Sequence, residues 1–307
     1  ETNDFRLVID NENDLSGLPE SLKLQAAEAA KAKGMEGKWL FTLQAPSYFP
    51  FMTYADNRAL REKLFRGYMM RGNNGGTHDN NEIVAQIVKL RTEKANLLGY
   101  KSHAAYILER NMAKDPETVL NFLGEIWAAA LPVAKAEAKV QQAMIDREGG
   151  KFKLAPWDWF YYTEKIRKEK YDISDEEVRP YFAVDNVTKG MFYVANRLYN
   201  LEFKERSDIP KYHPDVKTYE VTRNGQHVGI LMLDYFPRAS KRSGGWTSAL
   251  RAQHIDRDGK QVTPIVSINT NFNPPAGDKP SLLNAEEAST LFHEFGHGLH
   301  GLLSQVR

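Results

Sequence analysis

The chain has 307 residues, 42% hydrophobic and 26% charged, with a formal net charge of +1. So even a balance leaves no electrostatic footprint for nucleic acid or an anionic membrane. There is no cysteine, which excludes disulfides and thiolate ligands and leaves only His and carboxylate to hold a metal.

The longest apolar run, Ile126 to Ala134, is nine residues and contains Pro132, so no membrane span is expected. The chain begins at Glu1 with no Met and no signal-like stretch, which reads as a processed or excised start.

Residues 1–210 read as mostly helix. Glu20–Lys33 is Ala-rich and ends at Gly34. Lys38–Leu43 predicts a short strand, and Pro46 and Pro50 predict a loop after it. Asn57–Met70 ends at Gly72, and Asn73 to Gly76 reads as a turn, without the Lys of a phosphate loop. Glu82–Leu98 carries Ile83, Val84, Ile87 and Val88 on one face. Ser102 is placed to cap the next helix. Asp115-Pro116 opens a long helix that bends at Pro132 and closes at Gly149-Gly150. Trp157–Lys170 and Asn186–Tyr199 follow. The aromatic cluster Trp157, Trp159, Phe160, Tyr161 and Tyr162 predicts core, and the alternating charges of Glu164–Lys170 predict a solvated face.

From Val216 the apolar period changes to two. Lys217–Thr222 and His227–Phe236 flank Asn224-Gly225, a strong hairpin signal. Thr247–Ile255 and Gln261–Asn271 flank a second turn at Asp256–Gly259. The expectation is a small antiparallel sheet of about four strands over residues 216–271. The basic, Gly-rich Lys241–Gly245 reads as a mobile loop. Pro264 demotes the last strand to an edge. Ile265, Ser267 and Asn269 on that edge are candidate substrate-binding residues, where an extended peptide adds as one more strand.

The chemistry lies near the C-terminal end, in Thr290-Leu291-Phe292-His293-Glu294-Phe295-Gly296-His297, an H-E-x-x-H pattern. Asn284 is the expected N-cap, with Glu287 in the capping-box position. Ala288, Leu291, Phe292, Phe295, Leu299 and Leu302 form an apolar helix face. His293 and His297 then project from one side, about 6 Å apart along the axis. Both can give a nitrogen to one zinc ion, while Glu294 is placed to act as a general base rather than a ligand. Gly296, Gly298 and Gly301 weaken the helix and predict close approach of another backbone or a substrate.

Phe292 to His300 closely resembles the zinc helix of the thimet oligopeptidase and peptidyl-dipeptidase family. The likeness extends to Trp157–Tyr162, Arg179-Pro180-Tyr181-Phe182, His213-Pro214-Asp215-Val216 and Asp234-Tyr235-Phe236-Pro237-Arg238. Asp185-Asn186-Val187 and Gly190–Leu198 look more like the bacterial peptidyl-dipeptidase branch. The resemblance implies a mainly α, two-lobed zincin-type fold with a deep channel. Residues 1–210 would line one side of it, and residues 211–307 would supply the small sheet and the zinc helix. It implies one zinc, held by His293 and His297, with Glu294 as base and proton shuttle. It also implies short peptide substrates, from which this branch releases C-terminal dipeptides, in the cytoplasm or periplasm of a bacterium, the cytoplasm being preferred. His300 is not a metzincin ligand, because that pattern needs Gly at 300 and His at 303, where this chain has Leu303. It is expected to pack on the helix or support the site.

The family's third ligand is a Glu about two dozen residues past the second His, whereas a catalytic zinc takes three protein ligands. Gly298–Arg307 holds no acidic residue, so the third metal ligand is not in this chain. The chain reads as an internal fragment, inactive alone, whose partner is the missing C-terminal portion of the same protein. The alternative is a non-catalytic helical scaffold that binds peptides.

Overall fold

The computed structural model describes residue 2 and residues 4–172, 175–275 and 280–305. In chain order the first elements are β1 (Leu7–Ile9), α1 (Glu20–Lys31), β2 (Trp39–Phe41), α2 (Ala45–Tyr54), α3 (Arg58–Met69), α4 (Asn81–Leu97), α5 (His103–Leu108) and α6 (Pro116–Arg147). Then come α7 (Trp159–Tyr171), α8 (Asp175–Val178), α9 (Val184–Tyr199), β3 (Leu201–Glu205), β4 (Lys217–Arg223) and β5 (Gln226–Asp234). The last are β6 (Trp246–Arg251), β7 (His254–Ile255), β8 (Gln261–Val262), β9 (Ile265–Asn269) and α10 (Ala285–Leu303). About half of the described residues are helical. The loop expected at Pro46 and Pro50 is the helix α2, with Pro46 in its first turn, where a missing N–H is harmless. Burial of Tyr48, Phe51 and Met52 overrides the break expected at Pro50.

Two compact units emerge: Glu1–Leu18 with Phe51–Lys170, and Pro19–Pro50 with Tyr171–Arg307. In the first, Asp158 is fully buried and organises its surroundings. Arg58 grips it through Nε and Nη2 at 3.0 and 2.9 Å, and Arg61 Nη2 donates to it at 3.0 Å. Of the five aromatic residues expected as core, only Tyr162 is buried. The others stay partly open because this cluster serves the cations: the Arg61 guanidinium lies 4.0 Å over the Tyr161 ring, and that of Arg66 lies 5.0 Å over Trp157. Asp115 and Ser102 cap α6 and α5 as expected, accepting from Thr118 N and Ala105 N. Ile83, Val84, Ile87 and Val88 on α4 are exposed, as are Leu120, Phe122 and Trp127 on α6. α6 is long and apolar enough, by length and composition, to cross a membrane. It holds no long unbroken apolar run because charged residues are interspersed along the helix.

The second unit is built on a five-stranded sheet of order β3-β4-β5-β9-β6. The hairpin β4–β5 turns at Asn224-Gly225, both at positive φ, as the sequence predicts. Three features differ from expectation. Strand β3, outside the expected sheet of residues 216–271, joins it antiparallel to β4. The sheet is mixed, because β9 runs parallel to β5 and antiparallel to β6. And β9 is not an edge: it is hydrogen-bonded on both sides, with Pro264 just before its first residue, where the missing N–H interrupts no ladder.

α9 and α10 pack onto this unit's main apolar core. Val187, Met191 and Ala195 of α9 and Leu291, Phe295 and Leu302 of α10 cluster with Leu231, Leu233, Val266 and Ile268 of the sheet. Phe192 and Phe203 stack with centroids 4.1 Å apart and planes 2° apart. Side chains alternate across a strand, so Ser267 and Asn269 turn to the other face.

Candidate metal centre

α10 starts where the sequence places it. Asn284 Oδ1 accepts from Glu287 N at 2.7 Å, and Glu287 Oε2 accepts from Asn284 N at 2.8 Å, a complete capping box. The helix seats itself on β9 through glycine: a Cβ at Gly298 would lie 3.1 Å from Ile268 Cδ1, and one at Gly301 would lie 3.2 Å from Val266 Cγ2. The close approach expected of three glycines is therefore met by two. Gly296 faces open space. Phe292, expected on the buried face, is 41% exposed, because it lies on the opposite side of the helix with His293, Gly296, His297 and His300, all exposed. His300 is thus no packing residue; its carbonyl accepts the bonds from Ser304 that end the helix.

His293 and His297 converge. Their Nε2 atoms are 3.2 Å apart, and their rings meet at 77° with centroids 4.8 Å apart. Two nitrogens each about 2.0–2.1 Å from one ion at a near-tetrahedral angle stand about 3.3 Å apart, so this pair fits the bite of a zinc ion. Among the described residues no third His, Cys, Asp or Glu completes a metal-holding cluster with them.

Glu294 lies at the border of the buried face, 8% exposed. Thr247 of β6 holds it: the Thr247 hydroxyl is 2.8 Å from both the Glu294 carbonyl oxygen and its Oε2. Gly245 comes close as well, since a Cβ there would lie 3.6 Å from Glu294 Oε1 and 3.1 Å from Thr290 Cγ2. Thr247 carries no local signal in the sequence, because the docking of β6 beside α10 is non-local. The Gly244-Gly245 pair is the visible sequence signal for this close backbone approach.

The segment before β6, expected to be mobile, is anchored. Lys241 Nζ is buried and donates to Asp234 Oδ1, Asp234 O and Phe236 O, each at 2.9 Å. Arg238 makes two bonds of 2.9 Å to the Asp234 carboxylate. Asn271 Nδ2 donates to the carbonyls of Arg242 and Gly244. Burial pushes the Asp234 carboxyl up, but the bonds from Arg238 and Lys241 outweigh it and hold the pKa below the usual carboxylate range. Burial likewise pulls the Lys241 ammonium down.

The candidate peptide-binding residues Ile265, Ser267 and Asn269 are corrected here. Ser267 and Asn269 are buried on the sheet face turned away from α10, where Tyr212 Oη is 3.1 Å from Ser267 Oγ and 3.3 Å from Asn269 Oδ1. Ile265 lies two residues before Ser267 on the same strand and so shares that face, half-buried. With both ladders of β9 already filled, no further strand can add there.

A family model described as Peptidase family M3 matches residues 51–307. The chain is 40% identical to Oligopeptidase A of Haemophilus influenzae over 97% of its own length and 44% of that protein. To Dipeptidyl carboxypeptidase of Escherichia coli strain K12 it is 38% identical, over 98% of this chain and 44% of that one. To Saccharolysin of Saccharomyces cerevisiae it is 31% identical, over 95% and 42%. The chain spans less than half the length of these curated relatives.

Proposed function

The chain belongs to peptidase family M3, and we propose that it carries the metal-binding helix of a zinc peptidase that hydrolyses short peptides. In our reading His293 and His297 hold one zinc ion, and Glu294 takes the proton of the attacking water and returns it to the leaving amine. Zinc, when bound, supplies the Lewis acidity that lets water react near neutral pH. The observation that carries the reading is the 3.2 Å approach of the two Nε2 atoms on an open helix face, beside a carboxylate fixed at that helix's border.

The finer reading is release of C-terminal dipeptides, as the name of one relative suggests. Identities of 40% and 38% to an oligopeptidase and a dipeptidyl carboxypeptidase favour neither strongly. Among the described residues β6 pairs with β9 alone within the sheet. We therefore assign strand addition of the substrate to Trp246–Arg251 rather than to β9. We place the protein in a bacterial cytoplasm or periplasm. No third donor is present among the described residues. We propose that the chain taken alone binds zinc weakly and cleaves no peptide.

The test uses the full-length protein and its Glu294→Gln variant on a blocked peptide, with and without a chelator. The expected result is chelator-sensitive cleavage that is lost in the variant while zinc is retained. A variant as active as the wild type removes the peptidase reading and leaves a peptide-binding scaffold.

A further inference from the structure

We propose that Thr247 is a positioning residue that aims Glu294, and that Gly245 keeps the working oxygen of that carboxylate clear. The inference rests on Glu294 being the base and deepens that reading.

A glutamate side chain has three rotatable bonds, and nothing in the helix itself fixes where its carboxylate points. Here a single hydroxyl from a neighbouring strand does so. Thr247 Oγ1 stands 2.8 Å from the Glu294 backbone oxygen and 2.8 Å from Oε2. It spans the two ends of the same residue. The hydroxyl has one proton to donate, and the charge-assisted bond to the carboxylate has the stronger claim on it. The hydroxyl is carried by a β-branched residue whose χ1 is stiff, on a strand paired residue by residue with β9, Thr247 opposite Ile268. α10 is seated on that same Ile268 through Gly298. Tether and helix therefore share one reference strand, and the carboxylate is held at both ends of a short rigid path.

The two carboxylate oxygens are thereby distinguished. Oε2 is occupied by Thr247. Oε1 carries no hydrogen bond among the described residues and faces the backbone of Gly245, where even a Cβ would stand at 3.6 Å. A longer side chain at 245 would lie across Oε1. Glycine leaves that oxygen free to take a proton and give it back, while the Thr247 proton stays where it is throughout.

The experiment compares Thr247→Val, which keeps the shape and removes the hydroxyl, with Thr247→Ser, which keeps the hydroxyl. In the full-length protein we expect Thr247→Val to lower kcat about 10- to 100-fold with KM changed less than about threefold, as for loss of orientation of a reacting group, and Thr247→Ser to restore most of kcat. In the metal-free 307-residue chain, the 13C carboxyl resonance of Glu294, assigned with Glu294→Gln, should move in Thr247→Val and stay in Thr247→Ser. If kcat of Thr247→Val is unchanged, or if Thr247→Ser is as impaired as Thr247→Val, Thr247 merely staples a strand to a helix and the proposal is overturned. Should Glu294→Gln retain full activity, the base assignment itself has failed, a result separable from either of these.

Discussion

Gly298 on α10 backs onto Ile268 of β9 so closely that a Cβ on the glycine would stand 3.1 Å from the isoleucine Cδ1. That contact sets the height of the H-E-x-x-H helix above the sheet. The atom it would meet is the far end of a flexible side chain, so Gly298→Ala gains helix propensity of about 1 kcal/mol against a repacking loss of similar size. We expect a net change within about 0.5 kcal/mol. Gly298→Leu has no such escape and should lose about 1–3 kcal/mol by overpacking. Urea denaturation of the two variants checks both.

The convergence of His293 and His297 makes a metal prediction. The wild-type chain of 307 residues should retain clearly less than one zinc after dialysis, and titration calorimetry should show weak binding. His293→Ala or His297→Ala should weaken it further, by at least about tenfold, since two donors are already one short of the usual three. Tight stoichiometric zinc in the isolated chain would mean that a third donor exists among residues 1–307.

Lys241 and Asp234 form a buried pair, with side chains 2% and 1% exposed. Lys241→Met should cost about 3 kcal/mol, because it leaves the carboxylate with Arg238 as its one remaining cation. It should also loosen the segment leading into β6, seen as faster amide exchange at Gly244 and Gly245.

The same carboxyl gives a pH dependence. Its folded pKa is lowered, while the unfolded value is about 3.9. The stability it contributes is therefore complete above the unfolded value and is lost as pH falls through the lower folded one. Denaturation midpoints measured from pH 6 to pH 2 should fall steeply at the acid end in the wild type and more shallowly in Asp234→Asn, whose starting stability is lower.

Asn284 and Glu287 satisfy each other's backbone donors. Asn284→Ala should cost about 1 kcal/mol and fray the first turn of α10, lowering helicity by circular dichroism without moving His293 or His297.

The parts of this architecture legible in the sequence are those decided within a few residues. The caps at Asn284, Asp115 and Ser102, the Asn224-Gly225 turn and the spacing of His293 and His297 each depend on local chemistry, and each is found where expected. What escaped depends on partners far along the chain. Pro264 marks a strand start as well as an edge, and only the placement of β5 alongside β9 decides between them. β3 alternates charged residues with Leu201 and Phe203 over five positions, too short a pattern to stand out. Thr247 has no meaning until β6 is laid beside α10.

The parallel pairing of Ile230 with Ile265 and of Leu233 with Ile268 closes a loop that encloses β6. Parallel neighbours cannot be joined by a tight turn, and their loop-closure entropy must be met before contacts reward it. The platform under the two imidazoles is consequently a late product of folding. During refolding the fluorescence of buried aromatics should recover before the histidines come together, and damage to the β5–β9 seam should slow acquisition of the site more than it slows collapse.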